Sequence, residues 1–521
     1  MWIVLGEERG RIKLVSKRGV RGILPKGAFL TIEKGDSKYI LRVDNSQQTE
    51  PYSPAPLLAD MDLSPISQDQ KCQNILHAYR VKDISDIEDG YIDFIPPLSI
   101  ARMSNQEEVN IALEVEATGP PVFIATLYAG KNQLLRDGNG VPIKAHLPID
   151  MFFHQMLFCG KTGSGKTVAT KYLAQYFVEE LKGYGAVLAI NVKDVDFLKM
   201  DQASITVQQS VKDEWDSLGI CPHGVENFTI YYPANTSIEG GQGVTYEKCQ
   251  AITLDVTTID PDAMSGLLQN ISEIGAQHLP DIFRKWQEDR RTNGGDFTFA
   301  GFTRYFYSHA ESGYLFDTIN SRGDDLTVKL HPGTFTNISS ELRYATEFFD
   351  NPTAEVIEAS NILERGKMSV INVAGSKGIK FGSVILRHLL KNIVDYKSSG
   401  RSRVPILIII DEVHQFYNNT SSRQALDDLD TICRTGRSQE IGVIFSSQNP
   451  SDIPRGLSRV INTKIFFKSD RAVAREYGIE ISSEEMQSLR KGFAIGNLHD
   501  LSQLKVLKFP LSLSGVFEKK R

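Results

Sequence analysis

The chain has 521 residues, which is long for one domain and predicts about two to four. A hydrophobic share of 41% and a charged share of 23% describe an ordinary globular protein and exclude a low-complexity or collagen-like chain. A net charge of −6 argues against a uniformly basic nucleic-acid binder.

From Met1 to about Gly130 the pattern is β-rich. "GRIKLVSKRG", "AFLTIEKG" and "KYILRVD" alternate apolar and polar residues between Gly and Asp turns, as half-buried antiparallel strands do. Short, closely spaced strands predict a small barrel over residues 1–130, with the Pro/Ser-rich "TEPYSPAPLLADMDLSP" as a loop within it. Charge is uneven here. "ERGRIKLVSKRGVRGILPK" is basic and "KDISDIEDGYIDF" acidic, and a short basic stretch of this kind is ordinarily a solvated face. The five cysteines, Cys72, Cys159, Cys221, Cys249 and Cys433, are scattered, which predicts reduced thiols in a cytoplasmic chain; the closeness of Cys221 to His223 is incidental. No run reaches the roughly 18 apolar residues of a membrane span, and the opening "MWIVLGEERGRIK" is too soon charged for a leader.

The next stretch, "HQMLFCGKTGSGKTVATKYLAQYFVEEL", reads as a buried strand, a glycine-rich loop and a helix. From Gly160 to Thr167 (Gly160, Lys161, Thr162, Gly163, Ser164, Gly165, Lys166, Thr167) the spacing is G-x-x-x-x-G-K-[ST]. Converging backbone N–H groups need glycines that tolerate unusual φ/ψ, and the helix after the loop turns its positive end toward bound phosphates. Lys166 reaches the β- and γ-phosphates of a nucleoside triphosphate, and the Thr167 hydroxyl is placed for Mg²⁺. ATP and Mg²⁺ are therefore the expected ligands.

"YGAVLAINVK" predicts a second parallel strand, followed by Asp194 and Asp196. Between about Pro261 and Asp350 the periodicity is helical, starting at "DPDAMSGLLQNISEIGAQHL" with Asp and Pro at cap and first-turn positions. Residues 245–350 read as a helical insertion. The β/α alternation then resumes through "KMSVINVAG", "SVILRHLLKNIVDYK", "PILIIIDEVHQF", "EIGVIFSSQNP" and "TKIFFK". An α/β core over residues 131–244 and 351–500 follows, a RecA-like fold with a parallel sheet, and residues 501–521 read as a tail.

"ILIIIDEVHQF" delivers Asp411 and Glu412 from a wholly apolar strand, Asp411 to hold Mg²⁺ through water and Glu412 to polarise the attacking water. His414 is a candidate for catalysis, or for a packing or sensor role. Gln448, at the end of the next apolar strand, can sense a γ-phosphate or orient water, since an amide both donates and accepts; the plainer alternative is a solvated side chain in an Asn-Pro turn. In "CRTGRSQEIG", Arg437, or else Arg434, is the candidate arginine finger for a neighbour's nucleotide, against the alternative of a surface ion pair.

The order of these features resembles HerA, the hexameric DNA-translocating ATPases related to FtsK and to conjugative coupling proteins. The two nucleotide motifs and the segment Gly436 to Pro450 carry the resemblance, with Ser438, Glu440-Ile441 and Asn449 departing from the family's usual residues. It implies a homo-hexameric ring, ATP hydrolysis between subunits, double-stranded DNA in the channel, and a nuclease or other effector docked on the N-terminal barrel. In such a ring even a modest basic patch is repeated around a pore, with "SKGIK" (Ser376 to Lys380) as a thin pore-loop candidate. A scaffold ring that assembles and regulates an effector is the alternative, and a protein-unfolding ATPase lacks the aromatic pore-loop signature.

Overall fold

In the computed structural model of the chain the described residues are 1–16, 24–49, 73–84, 94–114, 123–128, 133–146, 149–180, 185–193, 196–236, 238, 243–268, 270–374, 376–413, 429, 432, 436–453, 459–479, 481–499 and 506–518. Two compact units emerge. One comprises Met1–Pro148, Gly163–Gly165 and Ile465–Pro510; the other Ile149–Thr162, Lys166–Lys464 and Leu511–Arg521.

The first unit contains a closed barrel. Its strands are β1 (Trp2–Glu8), β2 (Arg11–Ser16), β3 (Phe29–Lys34), β4 (Ser37–Thr49), β5 (Gln73–Ile84) and β6 (Ile100–Met103), in the order β1-β2-β5-β4-β3-β6. Alternation drives it: Trp2 and Val4, Ile12 and Leu14, Leu30 and Ile32, and Tyr39, Leu41 and Val43 all point into one buried cluster. Register shifts in β4 between Ile40 and Leu41 and between Val43 and Asn45 bend that long strand, as closing a small barrel requires. The helix α1 (Gln106–Leu113) follows β6 with a reciprocal cap between Asn105 and Glu108. Glu108 also accepts from Thr31 Oγ1 at 2.9 Å and from both Arg102 Nη atoms at 2.9 and 2.6 Å, tying the helix to two barrel strands. The same unit holds an antiparallel ribbon in which Val506–Lys508 pairs with both Phe493–Asn497 and Phe123–Tyr128.

The second unit is built on a parallel sheet. Its strands run in the order Glu355–Val356, Cys249–Thr253, Phe228–Pro233, Met368–Asn372, Ala186–Asn191, Ile406–Ile410, Ile441–Ser447 and Met156–Cys159. Every pairing in this series is parallel. Ile406–Ile410 and Ala186–Asn191 are buried along their whole length, which is why they read as unbroken apolar runs: a sheet covered on both faces has no solvent side to mark. This is the parallel α/β core that the alternation predicted.

The inserted segment differs in detail from its helical reading. "DPDAMSGLLQNISEIGAQHL" does not form one helix. A 3₁₀ helix, Pro261–Leu267, is capped by Asp260, and a separate helix, Glu273–Asn293, starts under its own cap, Ser272 Oγ accepting from the Gly275 N–H at 3.1 Å. An antiparallel hairpin, Leu315–Ile319 with Asp325–Lys329, also interrupts the helices. An aromatic core binds these pieces: Phe283 and Phe302 meet edge to face at 4.8 Å, and Phe306 stacks on Phe335 at 4.9 Å. Among the described residues no helix is long and apolar enough to cross a membrane.

Candidate nucleotide site

The buried strand Met156–Cys159 runs beside Ile441–Ser447 with Cys159 opposite Ser447. Ile441–Ser447 in turn lies beside Ile406–Ile410. The glycine-rich loop and the Asp411-Glu412 pair therefore leave the same edge of the sheet two strand spacings apart, about 10 Å. That gap accommodates a triphosphate tail. The loop begins with the Gly160 N–H donating to the Ser447 carbonyl at 3.3 Å. Gly163 and Gly165 have φ of 79° and 109°, which side-chain-bearing residues rarely adopt. At Gly165 an added Cβ would also meet the Gly492 amide nitrogen at 2.8 Å.

Lys166 opens the helix Lys166–Gln175 and is 6% exposed. Its ammonium donates to the Gly160 carbonyl at 2.6 Å and the Lys161 carbonyl at 3.4 Å, so it lies inside the loop. Burial lowers its pKa, with the Asp411 and Glu412 carboxylates working in the opposite direction. Lys161 and Thr162 are exposed and Thr167 is half-buried. Ser164 Oγ is buried and has no hydrogen-bond partner among the described residues. An orphaned hydroxyl at a loop of this shape fits a phosphate oxygen as its missing acceptor.

Asp411 and Glu412 are 5% and 6% exposed. Burial pushes the Asp411 carboxyl up, and the neighbouring Glu412 and Asp196 carboxylates add to the effect. A buried carboxylate beside like charges is the environment in which a divalent cation is most strongly favoured, so the donor set fits Mg²⁺. Glu412 has a φ of 46°, a left-handed conformation that is costly for a residue with a side chain and that recurs at functional sites. Its N–H donates to Asp411 Oδ1 at 3.0 Å. Gln448 Nε2 donates to Glu412 Oε1 at 3.1 Å, so the glutamine at the end of one strand meets the acid at the end of the next. Lys193 Nζ donates to that same oxygen at 2.9 Å. Lys193 was not singled out by sequence; its only signal is its place two residues beyond the strand Ala186–Asn191.

Arg437 lies elsewhere. It is exposed in the turn Gly436–Gln439, which precedes Ile441–Ser447 and so occupies the opposite, amino edge of the sheet. The seven-residue strand between them spans about 20 Å, beyond the reach of an arginine to its own loop. Asp194, His414 and Arg434 lie outside the described residues, as do the side chains of Ser376 to Lys380.

Behind the loop helix, Lys171 is 5% exposed and donates to the Gly515 carbonyl at 2.9 Å. Burial depresses its pKa to about 8, against the opposing pull of Asp196 and Asp411. The segment that supplies Gly515 is knitted into the same unit. The Trp215 indole N–H donates to the Leu511 carbonyl at 3.1 Å, Ala203 bridges Ser514, and Ile205 bridges Phe517.

A glycine-rich loop of this spacing, a buried acid pair and a glutamine amide on one edge of a parallel sheet are the layout of a P-loop NTPase core. Residues 339–467 match the family described as Helicase HerA-like C-terminal. Two curated relatives carry the name DNA double-strand break repair helicase HerA. The chain is 24% identical to that of Sulfurisphaera tokodaii over 188 residues and 26% identical to that of Saccharolobus solfataricus over 202 residues. These matches cover 33% and 34% of this chain and 37% and 40% of the relatives, so the shared stretch spans less than half of either. Solved structures with a similar chain course include VirB4 of Thermoanaerobacter pseudethanolicus (13% identity, TM-score 0.44, 76% of this chain and 97% of that one). The plasmid coupling protein TrwB in complex with ADP and Mg²⁺ is another (12% identity, TM-score 0.44, 80% and 94%). The chain thus carries a P-loop NTPase core that is similar, over residues 339–467, to the HerA-like helicases.

Proposed function

We propose that this chain hydrolyses ATP in a homo-hexameric ring that translocates double-stranded DNA, working with a nuclease or other effector docked on the N-terminal barrel, in DNA processing or antiphage defence. The observation that supports this reading best is the convergence of Lys166, Asp411, Glu412 and Gln448 at one sheet edge within a HerA-like core. In this reading the loop amides, Ser164 and Lys166 hold the phosphates, and Thr167 and Asp411 hold Mg²⁺, which supplies charge neutralisation on the phosphate oxygens. Glu412 takes a proton from water as the water oxygen bonds to the γ-phosphorus and the bond to the bridging oxygen breaks, the electron pair leaving with ADP. Gln448 orients the carboxylate. Arg437, out of reach of its own loop, serves the neighbouring subunit's nucleotide.

Steady-state ATP turnover of the full chain with and without linear duplex DNA tests this. The expected result is Mg²⁺-dependent hydrolysis that rises with duplex length. Hydrolysis indifferent to DNA, but changed by a co-purified effector, would replace the motor with a scaffold ring. Absence of hydrolysis under all conditions would remove the ATPase reading itself.

A further inference from the structure

We infer that Lys193 is a positioning residue for hydrolysis: with Gln448 it clamps one oxygen of Glu412 and so aims the other at the attacking water. This rests on the ATPase reading above. Glu412 Oε1 receives two donors, Lys193 Nζ at 2.9 Å and Gln448 Nε2 at 3.1 Å. A carboxylate oxygen has two lone pairs, so both on Oε1 are engaged and the proton of a water goes to Oε2. The two donors come from different strand ends. Lys193 follows Ala186–Asn191 and Gln448 follows Ile441–Ser447, the strands flanking Ile406–Ile410 from which Glu412 emerges. Bracketed from both sides, the side chain cannot swing within the plane of the sheet edge. The backbone of Glu412 is at a φ of 46°, a conformation that needs such surrounding support.

Exposure separates this from an ion pair kept for stability. The Glu412 side chain is 7% exposed and that of Lys193 is 44% exposed. A half-exposed ammonium loses much of its attraction to solvent screening, so its removal costs the fold little. What is lost is direction. The pairing with Glu412 also raises the Lys193 pKa, so the lysine stays charged through neutral pH. Lys193 is distinct from Lys166, whose ammonium is turned onto loop carbonyls rather than onto this carboxylate.

The test is a kinetic comparison on the full chain. Lys193→Met is expected to lower kcat for ATP about 10- to 100-fold, part of what a well-placed general base contributes, with KM changed less than about threefold. Lys193→Arg, which keeps a cationic donor, restores most of kcat. Because Lys193 acts through Glu412, adding Lys193→Met to Glu412→Gln lowers turnover by less than about twofold more. A fluorescent ATP analogue binds Lys193→Met as it binds wild type, which also reports that the variant is folded; Lys193→Gln provides a second truncation. Unchanged kcat in an active wild-type background overturns the inference. So does an additive loss in the double variant, or lost nucleotide binding, which would make Lys193 a phosphate contact. A wild-type chain without turnover would instead sink the ATPase reading.

Discussion

Lys166 contributes an ammonium to the loop and little to the core, since its terminal atom already sits on loop carbonyls. Lys166→Ala should nearly abolish ATP hydrolysis and leave the circular dichroism spectrum unchanged. Glu412→Gln keeps the size of the side chain but replaces one acceptor oxygen with an NH2 donor and removes the charge, so it should bind ATP and hydrolyse it slowly; wild-type turnover in that variant would discard Glu412 as the base. Arg437 is tested by a different signature. A finger acts on charge in the transition state, so Arg437→Ala should cost on the order of a thousandfold in rate with ATP binding little weakened, whereas an exposed ion pair is worth about 0–1 kcal/mol. The residues of the loop were legible because their chemistry depends on local spacing: Gly160 to Thr167 are consecutive. Lys193 was not, because its partner is 219 positions away and only the sheet order brings them together. Gln448 and Glu412 were each visible at a strand end, but their mutual bond was not.

Elements show the same division. The barrel strands announced themselves because one face is wet and one dry, so Ile12 and Leu14 alternate with exposed Arg11 and Lys13. The hairpin Leu315–Lys329 was hidden, since "LFDTI" and "DLTVK" sit between strongly helical stretches and the exposed pattern of the second strand carries no apolar period. Glu108 gives the barrel a testable acid limit. Burial lifts its carboxyl, but the bonds from Arg102, the Asn105 N–H and Thr31 outweigh burial and hold it below its ordinary value of 4.5. A carboxyl depressed on folding stabilises fully above its unfolded pKa, and the contribution is lost as pH falls through the lower folded value. Glu108→Gln should therefore cost the barrel about 2 kcal/mol at pH 7 and progressively less below about pH 4.5. Urea denaturation followed by the NMR signal of the Trp2 indole measures both; a wild-type-to-variant gap that persisted unchanged at pH 3 would reject the assignment.

At the scale of the whole molecule, a trans-acting Arg437 requires closed contacts between copies. Native mass spectrometry should report a ring, six subunits being expected, and a stable monomer at micromolar concentration with and without nucleotide would sink it. Mixing Arg437→Ala with Lys166→Ala subunits should return part of the activity each lacks, because some interfaces then pair an intact loop with an intact arginine; rings proved mixed by mass yet inactive would count against a finger in trans. The segment Leu511–Glu518, read from sequence only as a tail, has a bearing on how such a molecule is made. Lys171 on the loop helix finds its acceptor, Gly515, 344 positions later. At about 5–20 residues per second, that carbonyl leaves the ribosome roughly 20–70 s after the lysine. Throughout that interval the nascent loop helix holds an ammonium whose burial has no acceptor at Gly515, while the barrel strands, which all lie before Ser104, have already been made. Synthesis thus delivers every strand of the barrel well before the acceptor that the helix behind the glycine-rich loop needs, so the order of the chain favours a barrel that folds first and a loop helix that settles last.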